Sequence, residues 1–396
     1  MKLLIVCNTI DLKYGMIAPT FWQLFKALYE VGTEVIITPY LGRSVESLWW
    51  RSYQNPCLRE STLYNSLMDR RQLKSVGRGG TFSSLSMAVI KNYIRPRWEK
   101  HLLNILYREG DVDAVLFMNV PFNHFAGIPS KIKKRGRMPC IAYDGDLPTS
   151  LPMYAEARAF KFDYYPGADL AEYDAFLSSS KGAIPLLEEM GAENVHAFYY
   201  GVDPTLYSPI QAEQNIDIFY YGRNYRTKEA RLNFMIAKPS RLLPQCHFLV
   251  GGQPPPDLDI GLAKTCGVLP ISAWRSYAGR SKININITKA IDAEVYATSS
   301  MRPFELASMG CCVVSDPYLG LEEWFKIGKE MFVVRDAKEA IETYKTLLAS
   351  EELRVKTGEL ARKRVLKQHT VQHRARQLID IVQGTKPEGK KDRIKN

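Results

Sequence analysis

The stretch Thr298–Asp316, TSSMRPFELASMGCCVVSD, predicts a helix whose N-terminus faces a ligand. Small residues lead into a short predicted helix with Pro303 near its first turn, and Gly310 is predicted to end that helix before an apolar strand. Because a helix N-terminus offers free backbone N–H groups and a positive partial charge, the turn predicts an anion site around Ser300 and Met301.

Two charged residues of the predicted helix indicate what the anion belongs to. Arg302 carries a planar, permanently charged guanidinium, which suits a phosphate. Glu305, one turn further on, cannot bind a phosphate, but its carboxylate can accept hydrogen bonds from a sugar diol such as the ribose of a nucleotide. The alternative is an ordinary i, i+3 surface pair, which this stretch alone favours.

Length and composition limit the classes of protein to which this chain can belong. The 396 residues, 46% of them hydrophobic, predict two or three domains with cores of their own. The seven scattered cysteines lie mostly in apolar runs, which predicts reduced thiols and a cytoplasmic protein, and their spacing gives no support for a structural zinc site. The first residues are too few and too strand-like for a signal peptide, and no apolar run reaches the ~18 residues of a membrane span.

The charge balance favours an acidic partner. The net charge is +11, with clusters between Arg43 and Arg137 and in the tail Lys386–Asn396. Nucleotide phosphates, the anionic inner face of a membrane and nucleic acid all fit such a charge, and nucleic acid is the least favoured of them. A solvated surface is the alternative for each cluster, so charge alone does not choose.

The first half, residues 1–208, alternates apolar runs of strand length with helical patterns. This alternation predicts an α/β lobe with a parallel sheet covered by helices on both faces. An irregular basic insertion at about 41–90 interrupts the pattern and is expected to shape the acceptor pocket. The loop after the first strand has no GxGxxG, so a dinucleotide site is not supported there.

Three candidate catalytic residues follow strand ends of this half. Asp144 and Asp146 come just after the predicted strand Cys140–Tyr143, and His124 follows Asp113–Met118. Because open α/β sheets bind ligands at the carboxyl ends of their strands, these side chains are candidates to hold sugar hydroxyls or to act as a base. The alternatives are an Asx turn for the two acids and an incidental loop histidine.

The second half, residues 209–370, begins a new sheet. Gly222 closes the predicted strand Asp217–Tyr221, Arg223 follows at once, and Lys228 begins a predicted helical segment. This places two cations near a helix N-terminus, a second phosphate arrangement, with solvent-facing charge as the alternative.

A segment further along, GVLP at 267–270, is expected to contact the base of the nucleotide. The backbone at Leu269 and Pro270 is predicted to lie along the edge of the planar base.

The order of these motifs resembles nucleotide-sugar glycosyltransferases of the GT-B fold, group 1 (family 4-like), and more narrowly their CgeB-like branch. The segments that carry the resemblance are GVDP to YSP at 201–209, GR to K at 222–228, SKININIT at 281–288 and RPFELA to G at 302–310. The resemblance is specific over 198–382 and rests only on strand order before that.

The resemblance implies two Rossmann-like lobes facing each other across a cleft, the first binding the acceptor and the second the donor. It also implies that a last helix, 371–384, crosses back to the first lobe. The polarity of the residues that follow, 385–396, predicts a flexible basic tail. In the family, the glutamate matching Glu305 holds the ribose, and residues matching Arg223 and Lys228 contact the diphosphate. The chain departs from the family at Ala297, where better-known members carry a second glutamate.

The expected activity is transfer of a sugar from a nucleoside diphosphate sugar to an acceptor hydroxyl, such as that of a glycan, a lipid-linked sugar or a protein. The resemblance implies retention at the anomeric carbon. No metal is expected, because no DxD motif follows a strand of the second half and the one at 144–146 lies in the other lobe, and no cofactor is expected besides the donor. If the reaction inverts instead, Asp144, Asp146 or His124 becomes the expected general base. The alternatives are a nucleotide-sugar epimerase, a glycosyltransferase acting on modified DNA, and a non-catalytic sugar-nucleotide binding protein.

Overall fold

The computed structural model describes residues 1–10, 20–60, 88–136, 138–157 and 163–385. The described residues form two compact units, one comprising those up to Tyr199 and those from Arg374 onward, the other Tyr200–His373. The change of unit therefore lies shortly before the boundary predicted after residue 208. Most of the predicted basic insertion, at 61–87, and the predicted flexible tail, at 386–396, lie outside the described residues.

The first unit is built on a parallel sheet whose order is β3-β2-β1-β4-β5-β6-β7. Strands β1, β4 and β5 are almost wholly buried, as expected of parallel strands with helices on both faces. The strands are β1 (Lys2–Cys7), β2 (Glu34–Pro39), β3 (Arg51–Ser52), β4 (Ala114–Met118), β5 (Cys140–Asp144), β6 (Ala175–Ser178) and β7 (Val195–Ala197).

Helices of the first unit cover this sheet around an aromatic core that includes Trp98, Phe117, Phe122 and Phe125. The α-helices are α1 (Thr20–Glu30), α2 (Arg95–Glu109), α3 (Ile128–Gly136) and α4 (Ile184–Glu189). Shorter helical turns span Ile90–Ile94, Phe122–His124, Pro152–Ala157, Leu170–Glu172 and Lys181–Ala183.

The second unit has the same architecture, with a parallel sheet of order β10-β9-β8-β11-β12-β13. Its strands are β8 (Ile216–Tyr221), β9 (Phe248–Gly251), β10 (Lys264–Gly267), β11 (Ser281–Asn286), β12 (Val313–Ser315) and β13 (Phe332–Val333). Its α-helices are α5 (Glu229–Leu232), α6 (Lys238–Leu242), α7 (Ile271–Gly279), α8 (Ala290–Glu294), α9 (Met301–Ser308), α10 (Ala337–Ala349) and α11 (Glu351–Gln368), with short turns at Tyr225–Lys228 and Leu321–Glu323.

The helical segment that follows Lys228 is less regular than its sequence suggests. A π-helical segment, Asn233–Ala237, separates α5 from α6, and the Lys238 N–H donates to the Asn233 carbonyl. Pro239, in the first turn of α6, has no N–H to donate to the preceding turn, so the regular i→i−4 hydrogen-bond pattern is interrupted here.

A last helix, α12 (Val371–Thr385), spans the change of unit, and from Arg374 onward it belongs to the first unit. There, Gln377 Nε2 donates a hydrogen bond of 2.9 Å to the Ala197 carbonyl of β7. No helix in the described part of the chain is long and apolar enough to cross a membrane.

The α/β prediction of two Rossmann-like lobes is confirmed. In each sheet the strand order reverses once, between β1 and β4 in the first unit and between β8 and β11 in the second. In open parallel sheets a crevice forms at the carboxyl ends of the strands at such a point, and ligands bind in it. The loops that follow β8 and β11 therefore define where a site is expected in the second unit.

Candidate active site

The loop after β8 makes a tight turn at Gly222. A Cβ at this position would lie 2.1 Å from the Tyr220 hydroxyl, so any other residue would require the Tyr220 ring to move. Its N–H donates a hydrogen bond of 3.2 Å to the Gly251 carbonyl, which anchors the turn. Arg223 follows on the surface, and none of the described residues engages its side chain in a hydrogen bond or an ion pair. The loop thus presents an available guanidinium at the expected crevice.

Lys228 ends the short turn that follows this loop, and its side chain is half-buried. The ammonium lies 3.4 Å from the Tyr220 hydroxyl. Burial, and then the positive charge of Arg302, lower the pKa of Lys228 to about 8, while the Asp316 carboxylate acts in the opposite direction. Two cations are therefore held near each other in a desolvated place, where an anion would stabilise both.

Helix α9 brings Arg302 to this group of charges. The Arg302 guanidinium carbon lies 4.2 Å from the centroid of the Trp274 ring and 5.6 Å from that of Tyr221. At the start of the helix, the side chain of Ser300 makes no capping hydrogen bond, and Met301 is half-buried. The first turn of α9 therefore keeps the features expected of an anion site.

Glu305 lies one turn further along α9 and is only 6% exposed. Its Oε2 is 3.0 Å from Arg302 Nη1, so the i, i+3 pair that the sequence offered as the alternative is present. The Tyr207 hydroxyl donates a hydrogen bond to Glu305; burial first, and then this carboxylate, raise the pKa of Tyr207. Because a carboxylate has about four acceptor positions, Glu305 keeps capacity for further donors.

Asp316, at the end of β12, is a member of this cluster that the sequence did not assign a role. Its side chain is fully buried, with Arg231 Nε 2.7 Å from Oδ2 and the Thr288 N–H donating to Oδ1 at 3.0 Å. Burial raises its pKa to about 6, against the opposing effects of Thr288, Arg231 and Lys228. An acid directly after a buried strand was the only sequence signal for it.

The predicted base-edging residues lie next to the same cluster. The Tyr221 hydroxyl donates to the Leu269 carbonyl at 3.1 Å, and Pro270 is the exposed N-cap residue of α7. Trp274, one turn into α7, is the residue on which Arg302 stacks. The segment is thus tied to the cluster through Tyr221 and Trp274, while its contact with a base stays a prediction.

The candidate acids of the first unit form a bonded turn. Asp144, fully buried, accepts hydrogen bonds from the Ser150 hydroxyl (2.5 Å), the Tyr165 hydroxyl (2.5 Å) and the Asp146 N–H (2.8 Å). Burial raises its pKa. Asp146 is half-buried and accepts from Asn119 Nδ2 at 2.8 Å. The bond between the two acids is the one expected of the Asx-turn alternative, and Asp146 is the more accessible of the pair.

His124 lies in the aromatic core of the first unit. It is 3% exposed, and its Nδ1 is hydrogen-bonded to the Tyr40 hydroxyl. Burial, and then the charge of Arg95, lower its pKa to about 3, so the ring is neutral near neutral pH. This burial favours a structural role over that of a base, although the catalytic prediction is untested.

Among the described residues, no three His, Cys, Asp or Glu side chains are grouped so that they can hold a metal ion. The cluster in the second unit consists instead of cations with interspersed carboxylates: Lys228, Arg231, Arg302, Glu305 and Asp316. The exposed Arg223 lies on the loop that follows β8. Chemically, the cluster is suited to bind a polyanion that also carries hydroxyl groups.

Comparison with known proteins agrees with this geometry. Residues 226–380 match the family model described as glycosyl transferase-like. The chain has no sequence match among curated proteins.

Solved structures with a similar fold include sucrose-phosphate synthase from Thermosynechococcus elongatus, with a TM-score of 0.64, 12% identity, and coverage of 97% of this chain and 98% of that one. The trehalose-6-phosphate synthase OtsA has a TM-score of 0.62 and 11% identity, over 96% and 99% of the two chains. Anabaena HepE, solved with UDP and glucose, has a TM-score of 0.60 and 11% identity, over 97% and 100%.

Proposed function

We propose that this chain, a glycosyltransferase of the GT-B fold with its glycosyl transferase-like domain at 226–380, moves a sugar from a nucleoside diphosphate sugar to an acceptor hydroxyl. The observation that carries the proposal is the convergence of Lys228 and Arg302 beside the buried Glu305, at the switch point of the second sheet. The CgeB-like branch remains a prediction.

The donor's diphosphate is assigned to the cations of this cluster. When the bond between the anomeric carbon and the diphosphate oxygen breaks, the electron pair remains on that oxygen. Arg223, Lys228 and the first turn of α9 would stabilise the added negative charge. In a site with little water, such stabilisation is commonly worth several kcal/mol of barrier, and it requires donors held in place beforehand.

The ribose is assigned to Glu305. The bonds from Arg302 and Tyr207 fix the direction of its carboxylate, which leaves acceptor positions for two vicinal hydroxyls. Arg302 then has two roles, because it orients Glu305 and contributes positive charge toward the phosphates. UDP is the first nucleotide to test, since HepE was solved with UDP and UDP-glucose and a trehalose-6-phosphate synthase structure contains UDP-2-fluoro glucose.

The acceptor is assigned to the first unit. The anomeric carbon forms its new bond to an acceptor oxygen, and the hydroxyl proton must leave at the same stage. With retention, the proposed outcome, a leaving phosphate oxygen can take that proton. With inversion, Asp146 is the better placed of the first-unit candidates because it is more accessible than Asp144 and His124. Both retention and reaction without a metal are part of the proposal.

The test is hydrolysis and transfer of a panel of UDP, GDP, ADP and dTDP sugars by the wild type, with and without EDTA. We expect one nucleotide to dominate, activity to survive EDTA, and Arg223→Ala and Lys228→Ala each to lower turnover about tenfold or more. Exposed Arg335, in the same unit, gives a matched control, Arg335→Ala. Full activity of both site variants would remove the diphosphate assignment.

The same panel separates the alternatives. A new sugar isomer formed without an acceptor would identify an epimerase. Binding of a nucleotide sugar with no hydrolysis or transfer to any acceptor would identify a binding protein. Strongly salt-dependent duplex binding would point to a transferase acting on DNA.

A further inference from the structure

An open groove lies on the first unit, at the edge of the sheet where the strands begin. Its volume is ≈ 470 Å³, within the roughly 300–1,000 Å³ of small-molecule sites. Its walls come from the end of α1, the start of β2 and the segment before β3, with Tyr29, Leu48, Trp49 and Trp50 among them. Because all strands are parallel, Asp144 lies at the opposite edge, so the groove is separate from this unit's candidate acids.

The loop that forms one wall is held in place by hydrogen bonds. The Ser44 hydroxyl donates to Gln54 Oε1 at 2.8 Å, and Trp50 Nε1 donates to the Val45 carbonyl at 2.8 Å. Leu48, between these anchors, is nevertheless 91% exposed. A surface that is both apolar and held in one conformation is pre-organised for a ligand.

The aromatic residues of the groove also have polar groups to offer. The ring of Trp49 lies against that of Trp50, with centroids 6.0 Å apart, and Tyr29 is more than half exposed. Within the described ranges, neither Trp49 Nε1–H nor the Tyr29 hydroxyl has a hydrogen-bond partner. An aromatic face beside a free polar group suits a ligand that is apolar on one side and polar at its rim.

Charges at the groove are balanced by pairing. Arg51 is bound by Glu34 and by Glu109, the latter at 2.7 Å, and Lys26 Nζ lies 3.3 Å from Glu30. Paired charges of opposite sign give little net attraction for an anionic membrane or a phosphate, either of which needs surplus cations. The balance therefore favours an uncharged ligand that can still hydrogen-bond to planar carboxylate and guanidinium groups.

We infer that this groove binds a short neutral oligosaccharide. The C–H face of a sugar ring would lie on Trp49 or Tyr29, and its hydroxyls would bond to the free Trp49 N–H, the Tyr29 hydroxyl and the Glu34–Arg51 pair. The choice of a saccharide over other neutral ligands rests on the proposed function. Held there, a glycan acceptor or product stays tethered to the enzyme between transfers, which raises its local concentration.

The test uses the full chain labelled with 5-fluorotryptophan, in which the six tryptophans give separate fluorine signals. Trp49→Phe identifies the Trp49 signal. The probes are maltohexaose, cellohexaose, laminarihexaose and mannohexaose. We expect at least one to shift the Trp49 signal saturably. Isothermal titration calorimetry, which does not need that signal, should show that Trp49→Ala and Tyr29→Ala each weaken the binding about tenfold. Tyr107→Ala, an exposed aromatic outside the groove, should bind normally, and donor hydrolysis should be unchanged in all three variants.

The outcomes for the two proposals are distinguishable. No shift with any of the four probes, with donor hydrolysis intact, would overturn the groove assignment and leave the proposed function standing. Saccharide binding without hydrolysis of any donor would support the groove assignment and overturn the proposed function. If Leu48→Ser instead abolishes binding to phosphatidylglycerol vesicles, or converts a dimer into a monomer, the groove is a membrane or self-association surface and the inference is wrong. Should Trp49→Ala not fold, Trp49→Phe and Tyr29→Ala decide the question.

Discussion

The guanidinium carbon of Arg302 lies 4.2 Å from the centroid of the Trp274 ring. The two residues come from different helices, α9 and α7, that flank the same switch point. This stacking holds Arg302 over Trp274 while its Nη1 remains in contact with Glu305. The charged residue of the helix start is thus fixed from two sides before any donor arrives.

Replacing Trp274 tests whether this stacking matters for donor binding. We expect Trp274→Phe, which keeps an aromatic face, to bind UDP with an affinity close to that of the wild type. Trp274→Leu should weaken UDP binding about three- to tenfold, because a partly desolvated cation–π contact is worth roughly 0.5–2 kcal/mol. Isothermal titration calorimetry measures the affinities, with circular dichroism to verify folding. Equal affinity of the two variants would show that the aromatic face is irrelevant.

The ribose role of Glu305 can be isolated with deoxynucleotides. For the wild type, UDP should bind about tenfold more tightly than 2′-deoxy-UDP or 3′-deoxy-UDP, since the carboxylate bonds to both hydroxyls. Glu305→Ala should lose most of that preference and bind all three nucleotides with similar, weaker affinity. Tyr207→Phe, which removes only the hydroxyl that orients Glu305, should give a smaller loss. The same fold-loss for UDP and both deoxy analogues would refute contact with the ribose.

The pKa of Lys228 predicts how nucleotide affinity depends on pH. An anion binds to the charged ammonium, and in the free enzyme burial lowers the pKa of that group to about 8. UDP affinity should therefore fall as the pH rises from about 7 to 9. Lys228→Arg stays charged throughout, so its affinity should stay level over the same range. A parallel decline in both proteins would place the titrating group elsewhere.

Asp316 should make stability depend on pH with an unusual sign. Its pKa in the folded chain, about 6, lies above its ordinary 3.8, so the folded state binds the proton more tightly than the unfolded state does. The stabilisation that protonation provides is fully present below about pH 4 and is lost as the pH rises through about 6.

Asp316→Asn, which resembles the protonated form, should consequently be more stable than the wild type at about pH 7.5, by about 2 kcal/mol, and lose that advantage at about pH 4. Urea unfolding at several pH values measures the difference. Asp217→Asn is the matched control, because the lowered pKa of Asp217 beside Lys282 predicts the opposite sign. Lower stability of Asp316→Asn at every pH would mean that the ion pair with Arg231 outweighs the cost of burial.

Much of the architecture was predictable because its signals are local. Apolar runs of strand length predicted β4, β5 and β8 within a residue or so of their observed bounds, and Pro303 and Gly310 marked the two ends of α9. Prediction was poorer just before Pro239. One helical segment was expected over 228–238, and the structure has a short helix, Glu229–Leu232, followed by a π-helical segment, Asn233–Ala237, before α6 begins at Lys238.

The chemistry of the candidate site was only half predictable. The sequence placed Arg302 and Glu305 one turn apart, and that spacing fits their pairing as well as it fits a donor site. It gave no indication of Trp274 or Arg231 as partners, since each lies tens of residues from the side chain it contacts. For the same reason, the burial of His124 in an aromatic core was not visible from its place in a loop.

The two parallel sheets, the glycine turn at Gly222 and the helix start that bears Arg302 follow from the local sequence, because strand length, turn chemistry and helix ends depend on neighbouring residues. Which charges are paired, buried or available follows instead from the packing of distant segments. Asp316 is desolvated and bonded to Arg231, Glu305 is oriented by Tyr207, and Arg223 is left without a partner among the described residues. Those properties depend on distance and solvent access, which arise when distant segments of the chain come together at the edge of a sheet.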